Sequence, residues 1–310
     1  MRAVVVRDFG GPEALTTVEQ PLPEPGPGQV RIAVAAAAVN PVDLAVRAGS
    51  MVAIGFAEPQ PQFGLGWDVA GTVDAVGADA GFAVGDAVIG LVDRLDLPTG
   101  AYAEYVVLDA AAVGRAPRQA SPAEAATLPL CGLTASQALD LLDLAAGSTL
   151  LVTGAAGGVG GFAVELAAAR GLRVVALASP GDEELVRGFG AQHFVPRGSR
   201  VADAVRAVVP GGVDGVLDAA RVKTPALEAL RAGGAFVAVG FGADPVPRRG
   251  TRVANVWVRA DGARLTELAG LADEGRLTLR VADTFALDGA AAAHHRQAEA
   301  GLRGRLVLLP

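Results

Sequence analysis

Residues 149 to 161, Thr-Leu-Leu-Val-Thr-Gly-Ala-Ala-Gly-Gly-Val-Gly-Gly, constrain the fold more than any other stretch of the chain. An apolar run of strand composition enters a glycine-dense turn, and a helical segment from about Gly158 to Arg170 comes next. Residues without side chains let backbone N–H groups close on an anion, and the N-terminus of the helix adds partial positive charge. Gly154, Ala155, Ala156, Gly157, Gly158, Val159 and Gly160 are therefore the candidate cradle for a nucleotide pyrophosphate. Gly157 and Gly160 take the second and third places of a GxGxxG fingerprint, with Ala155 in the first.

The segments beyond the turn agree with a nucleotide-binding domain. Apolar runs recur at Arg173 to Ser179, near Phe194, at Val213 to Leu217 and at Ala235 to Gly240, separated by helical segments. That alternation predicts an α/β fold with a doubly wound parallel sheet. Residues 1 to about 115 read differently, as short β-type runs (Gln29 to Val39, Val69 to Val76, Ala87 to Val92) broken by glycine and proline, with turns at Gly77-Ala78 and Gly85-Asp86. Ser121-Pro-Ala-Glu124 forms a capping box with proline in the first turn, and Ala135 to Leu144 continues helically. The expected division is a β-rich domain of residues 1–118, completed by 259–310, and a dinucleotide-binding domain of 119–258. The C-terminal part, with a helix near Leu265 to Asp273 and a last strand Arg305 to Leu309, is too small to fold alone.

Composition narrows the function. A net charge of -7 over 310 residues argues against nucleic acid or an anionic membrane as the main partner, since both demand clustered cations. Lys223 is the only lysine among the 26 basic residues, and nothing around it recommends a Schiff base. The single cysteine, Cys131, excludes an intrachain disulfide and suggests the cytoplasm; it reads as a small packed residue. Met1 to Arg7 reads as a strand rather than a signal peptide. The uncharged stretch 145 to 164 is broken by its glycines and does not read as a membrane span.

Six blocks, in order, resemble the medium-chain dehydrogenase/reductases, specifically the zinc-free quinone oxidoreductase (zeta-crystallin-like) branch. They are Asn40-Pro-Val-Asp43 with Arg47 and Gly49, Gly66-Trp-Asp-Val-Ala-Gly71, Gly100-Ala-Tyr-Ala-Glu-Tyr105, Leu130-Cys-Gly-Leu-Thr134-Ala, the Ala155 to Gly160 turn, and Leu302-Arg-Gly-Arg-Leu-Val-Leu. The resemblance implies a GroES-like substrate domain formed by both chain ends, a central Rossmann domain and a cleft between them. Zinc relatives place Cys where Asn40 stands and His where Trp67 stands, so of three ligand positions only Cys131 still holds a thiol. Catalytic zinc needs three protein ligands, and His193, His294 and His295 give no metal spacing with Cys131; they read as surface or strand-end residues. No metal is expected.

Without a Lewis acid, alkoxide chemistry loses several kcal/mol of support. The easier reaction is hydride delivery from a dihydronicotinamide to a quinone or α,β-unsaturated carbonyl, where charge delocalises onto oxygen and a few hydrogen-bond donors suffice. The resemblance makes Asn40 the first candidate donor beside the nicotinamide, and Thr134, in the Gly-Leu-Thr-Ala turn, a candidate for orienting nicotinamide or substrate. Asn40 is also able simply to hold an Asn-Pro turn, and Thr134 to bond its own helix. Asp43 and Arg47 read as a structural ion pair, Tyr102 and Tyr105 as core or hinge residues. Many relatives carry a tyrosine at the position of Ala45; its absence leaves protonation to solvent and enlarges the pocket.

Cofactor choice turns on Ser179, which ends the second sheet strand where an NAD enzyme usually carries a carboxylate. By resemblance, Asp182 and Arg197 occupy the positions that govern NADPH preference. A charge-assisted Arg–phosphate contact contributes about 1.5–3 kcal/mol, against roughly 1 kcal/mol for an exposed aspartate ~4 Å away. NADP(H) is the expected cofactor, with NAD(H) as the alternative. Asp218-Ala219, Gly240 and Phe241 complete the candidate cofactor contacts, and Arg187 and Arg200 could add charge. The sheet edge near Val256, with Trp257 exposed, suggests a homodimer. Two further classes stay open: an enoyl or enone reductase of a biosynthetic pathway, and a non-catalytic NADP-binding structural or regulatory protein.

Overall fold

A computed structural model describes residues 1–299 and 301–310. The chain divides into two units, one of Met1–Leu130, Arg259–Gly275 and Leu279–Pro310, the other of Cys131–Val258 and Arg276–Thr278.

The second unit is built on six parallel strands, Thr149–Thr153, Arg173–Ala178, His193–Pro196, Val213–Asp218, Leu230–Val239 and Arg252–Val256. Across the sheet they run third, second, first, fourth, fifth, sixth. The chain order reverses between the first and fourth strands, which leaves a crevice at their carboxyl ends. The strands bury both faces, so Leu150, Leu151, Val174, Val175, Val216 and Phe236 are all at or below 1% exposure. Near-continuous apolar composition, rather than alternation, is what such strands require. Among the described residues the sixth strand is an edge, paired only with the fifth.

The first unit holds a three-stranded and a seven-stranded sheet. The long strand Gln29–Ala38 is its organising element, pairing antiparallel with Asp68–Val76, Tyr105–Asp109 and the C-terminal strand Arg305–Leu309. The last strand also pairs in parallel with Val281–Ala286, a strand the sequence did not suggest. Ser121 and Glu124 make the expected reciprocal cap. The helix it opens, Pro122–Ala125, packs in the first unit, so residues 119 to 130 lie there rather than with the parallel sheet. Arg276–Thr278 go the other way: Thr278 donates its backbone N–H and hydroxyl to Glu165 on the helix after the glycine turn, which holds this short segment in the second unit.

Candidate functional site

In the second unit the glycine turn stands at the end of the first strand, where the crevice opens. Gly154 has φ +62° and accepts the Gly157 N–H at 2.9 Å. The helix Gly158–Ala169 starts immediately, so the first-turn N–H groups of Gly158, Val159 and Gly160 head it without intrahelical acceptors. A Cβ on Gly160 would lie 2.1 Å from the Gly154 carbonyl oxygen, so the turn is this tight only with glycine there. Ala155 and Ala156 are buried beneath it. A tight turn that leaves the backbone donors of a helix start open fits a pyrophosphate.

Around the turn the neighbouring strand ends bring together most of the remaining candidates. Ser179 follows the second strand, and the Arg197 N–H donates to Ala178 O at 2.6 Å, so the exposed Arg197 lies beside it. Asp182, expected as an exposed carboxylate, is 5% exposed because it heads the helix Glu183–Gly188 and turns inward. Arg187 pairs with Glu183 and Arg200 with Asp203, which leaves Arg197 as the cation of this group without a carboxylate partner among the described residues. Ala219 follows the fourth strand, Gly240 and Phe241 the fifth. Phe241 is 48% exposed and its ring lies 6.3 Å from that of Trp257, itself 50% exposed. Thr134 is buried within the helix Pro129–Leu142, not in a turn, because Gly132 and Leu133 continue the helix. Cys131 is 2% exposed.

The first unit holds a buried polar cluster. Asn40 is fully buried; its amide donates to Ala38 O at 3.2 Å and to Asp68 Oδ2 at 2.7 Å, and its Oδ1 accepts from Arg305. Both amide hydrogens expected for a substrate carbonyl are thus taken inside the unit. Asp68 also accepts the Leu130 N–H at 2.5 Å. Asp43 accepts the backbone N–H groups of Asn40 (2.8 Å) and Gly66 (2.9 Å) and the Tyr102 hydroxyl (3.1 Å). Burial raises its carboxyl to about 7, and that of Asp68 to about 6, against the relief their hydrogen bonds give.

Asp43 and Arg47 form no direct ion pair; two buried side chains stand between them. Arg47 reaches His294 Nδ1 at 3.3 Å, and His294 Nε2 lies 3.4 Å from the Tyr102 hydroxyl. An arginine only donates, so Nδ1 accepts and Nε2 carries the proton, donating to the tyrosine oxygen, whose own hydrogen goes to Asp43. His294 is fully buried, not a surface residue, and burial with the Arg47 charge lowers it to about 3. Sequence reasoning missed His294 and Arg305 because they lie 192 and 265 residues from Tyr102 and Asn40; Tyr102, expected at the core or a hinge, is in the core. Among the described residues no three His, Cys, Asp or Glu side chains are grouped to hold a metal ion.

Residues 26–118 match the alcohol dehydrogenase GroES-like domain and residues 189–308 the zinc-binding dehydrogenase family. The chain is 36% identical to the trans-enoyl reductase thnE of Trichoderma harzianum over 255 residues, which cover 74% of this chain and 67% of that one. The chain belongs to the medium-chain dehydrogenase/reductases. Within that superfamily it falls in the quinone oxidoreductase branch: its structure resembles the quinone oxidoreductase of Coxiella burnetii with a TM-score of 0.88 and 29% identity, over 100% of this chain and 99% of that one. A mycobacterial member, Rv1454c, solved with NADPH, superimposes with a TM-score of 0.83 at 28% identity over the whole of both chains. The chain spans half or less of the length of several other curated relatives, polyketide synthases among them. No helix among its described residues is long and apolar enough to cross a membrane.

Proposed function

We propose that the protein is a zinc-independent, NADPH-preferring oxidoreductase that transfers a hydride to a quinone or an α,β-unsaturated carbonyl. The observation that carries this reading is the glycine turn at the strand-order reversal, with Arg197 beside Ser179 where a 2′-phosphate would need a cation. The dinucleotide, when bound, supplies the hydride. The chain's own residues hold and orient: Gly154 to Gly160 shape the cradle, with the first-turn N–H groups of Gly158, Val159 and Gly160 as its donors, Ser179 and Arg197 lie at the adenosine end, and Ala219, Gly240 and Phe241 at the other. Thr134 serves to orient the nicotinamide or the acceptor carbonyl. Asn40, its amide committed to Ala38 and Asp68, serves by fixing the start of the helix Pro41–Arg47. Ala45 leaves protonation of the reduced acceptor to solvent.

The resemblance to a trans-enoyl reductase gives specific support to a second reading, in which the acceptor is the carbon–carbon double bond of a biosynthetic intermediate. The open edge strand Arg252–Val256, flanked by exposed Trp257, supports a homodimer. The cytoplasm is the proposed location. The test is NADPH oxidation by the chelator-treated protein against ortho- and para-quinones and enones, with NADH in parallel. Turnover of quinones supports the first reading, turnover of enones alone the second; nucleotide binding without turnover of any acceptor would sink both in favour of a binding protein.

A further inference from the structure

The loop after the fourth strand is wound around a buried carboxylate. Asp218 is fully buried and accepts the Thr153 hydroxyl at 2.5 Å, the Val222 N–H at 3.0 Å and the Lys223 N–H at 2.7 Å. Thr153 Oγ1 in turn accepts the Ala220 N–H at 3.0 Å. With the backbone on either side drawn inward, Arg221 is held at φ +55° and Lys223 at φ +61°, a region that disfavours any residue with a Cβ. Glycine would occupy the place of Arg221 without strain.

The arginine reaches across to the end of the fifth strand. A Cβ built on Gly240, at the end of the fifth strand, would lie 3.0 Å from a terminal nitrogen of Arg221, so the guanidinium passes over that glycine. The same loop meets the glycine turn, since a Cβ on Gly154 would lie 3.0 Å from Ala220 Cβ. Arg221 is exposed and forms no ion pair with a carboxylate among the described residues. A permanently charged, forked donor on a strained backbone, beside a phosphate cradle and on the far side of it from Ser179 and Arg197, matches one kind of ligand group.

We propose that Arg221 is a cofactor-binding residue that clamps the pyrophosphate of the dinucleotide from the nicotinamide side, an inference that rests on the dinucleotide-binding reading above. Arg197 reads the 2′-phosphate; Arg221 reads the group that NADPH and NADH share.

The test is calorimetric titration of the purified full-length protein with NADPH, NADH and adenosine 2′,5′-bisphosphate, which carries the 2′-phosphate but no pyrophosphate. Arg221→Ala should weaken both dinucleotides by a similar factor, about tenfold to a hundredfold for a lost charge-assisted contact, and leave the bisphosphate unchanged. Arg221→Gly should show the same loss while melting, without ligand, at or above the wild-type temperature, because the strained residue has been relieved. A misfolded variant cannot give that pair of results. Unchanged dinucleotide affinity in both variants overturns the proposal, as does a loss confined to NADPH and the bisphosphate, which would put the guanidinium at the 2′-phosphate. Wild-type protein that binds neither dinucleotide would instead overturn the functional reading, and the proposal with it.

Discussion

At the glycine turn the chain offers main-chain N–H groups and almost no side chains, and leaves them facing the crevice. Around Asp43 and Asp68 it does the reverse: Asn40, Tyr102, His294 and Arg305 are turned inward and paired one against another out of water, although the buried Arg305 Nε makes no hydrogen bond among the described residues. The first arrangement is cheap to build, because its donors are the orphan groups any helix start leaves. The second carries a desolvation cost that only close pairing offsets. The turn should therefore tolerate no added atom, and the cluster no lost partner.

The largest expected effect comes from removing a partner. Asp68→Ala strands the Asn40 amide, the Leu130 N–H and the Arg305 charge, and should cost about 3–5 kcal/mol in urea unfolding. A loss below about 1 kcal/mol, the range of exposed pairs, would mean that the cluster is hydrated. Adding an atom to the turn comes next. Gly160→Ala places a methyl group 2.1 Å from the Gly154 oxygen and should destabilise by about 1–3 kcal/mol while weakening dinucleotide binding. Gly270→Ala, in the helix Gly262–Asp273 and with nothing within 4 Å of its Cβ, is the matched control; equal effects of the two would show that the turn's tightness is not what matters. Smaller, and selective, is Arg197→Ala. It should weaken NADPH about tenfold to a hundredfold and leave NADH unchanged, and an unchanged NADPH:NADH ratio would place the 2′-phosphate contact elsewhere.

The two regions also differ in how much of them a reader of the sequence could see. The turn was legible because its determinants are local: glycines at fixed spacing after an apolar run have few other uses, and the alternation of strands and helices gave the sheet. Strand ends agreed to within a residue or two, except that the fifth strand begins at Leu230, five residues before its apolar run. The cluster was legible only in outline. Asn40 and Asp43 stood out in their motif, but nothing near Arg47 says that its link to Asp43 passes through Tyr102 and a histidine 247 positions away. His294 sits in an alanine-rich helix beside His295, where only the folded chain tells the buried ring from its exposed neighbour. Arg221 left no trace either, since its conformation is imposed by the carboxylate of Asp218 folding the loop back on itself.

Acid sharpens the comparison last, and most finely. Asp43 and Asp68 are raised to about 7 and about 6, so between 3.8 and those values the native state holds protons that the unfolded chain has released. Their contribution to stability is fully present below 3.8 and is lost as pH rises through 6 and 7. His294 has the opposite sign. Lowered from 6.5 to about 3, it stays neutral in the native state while the unfolded chain takes up a proton, so its contribution is present above 6.5 and drains away as pH falls toward 3. The groups facing this chain of bonds are Arg47 and Tyr102 on the histidine, and Tyr102, Asp68 and the Asn40 and Gly66 N–H groups on Asp43. From about pH 4.5 to 6 two protons bound are set against one refused. Each counts for about 1.4 kcal/mol per pH unit. Asp43→Asn should remove one of the favourable pair and tilt the curve toward loss of stability in acid; His294→Gln should tilt it the other way by a similar amount. Urea midpoints of wild type and both variants across that window decide it, and three parallel lines would mean that neither group keeps in the folded protein the proton state that its burial dictates.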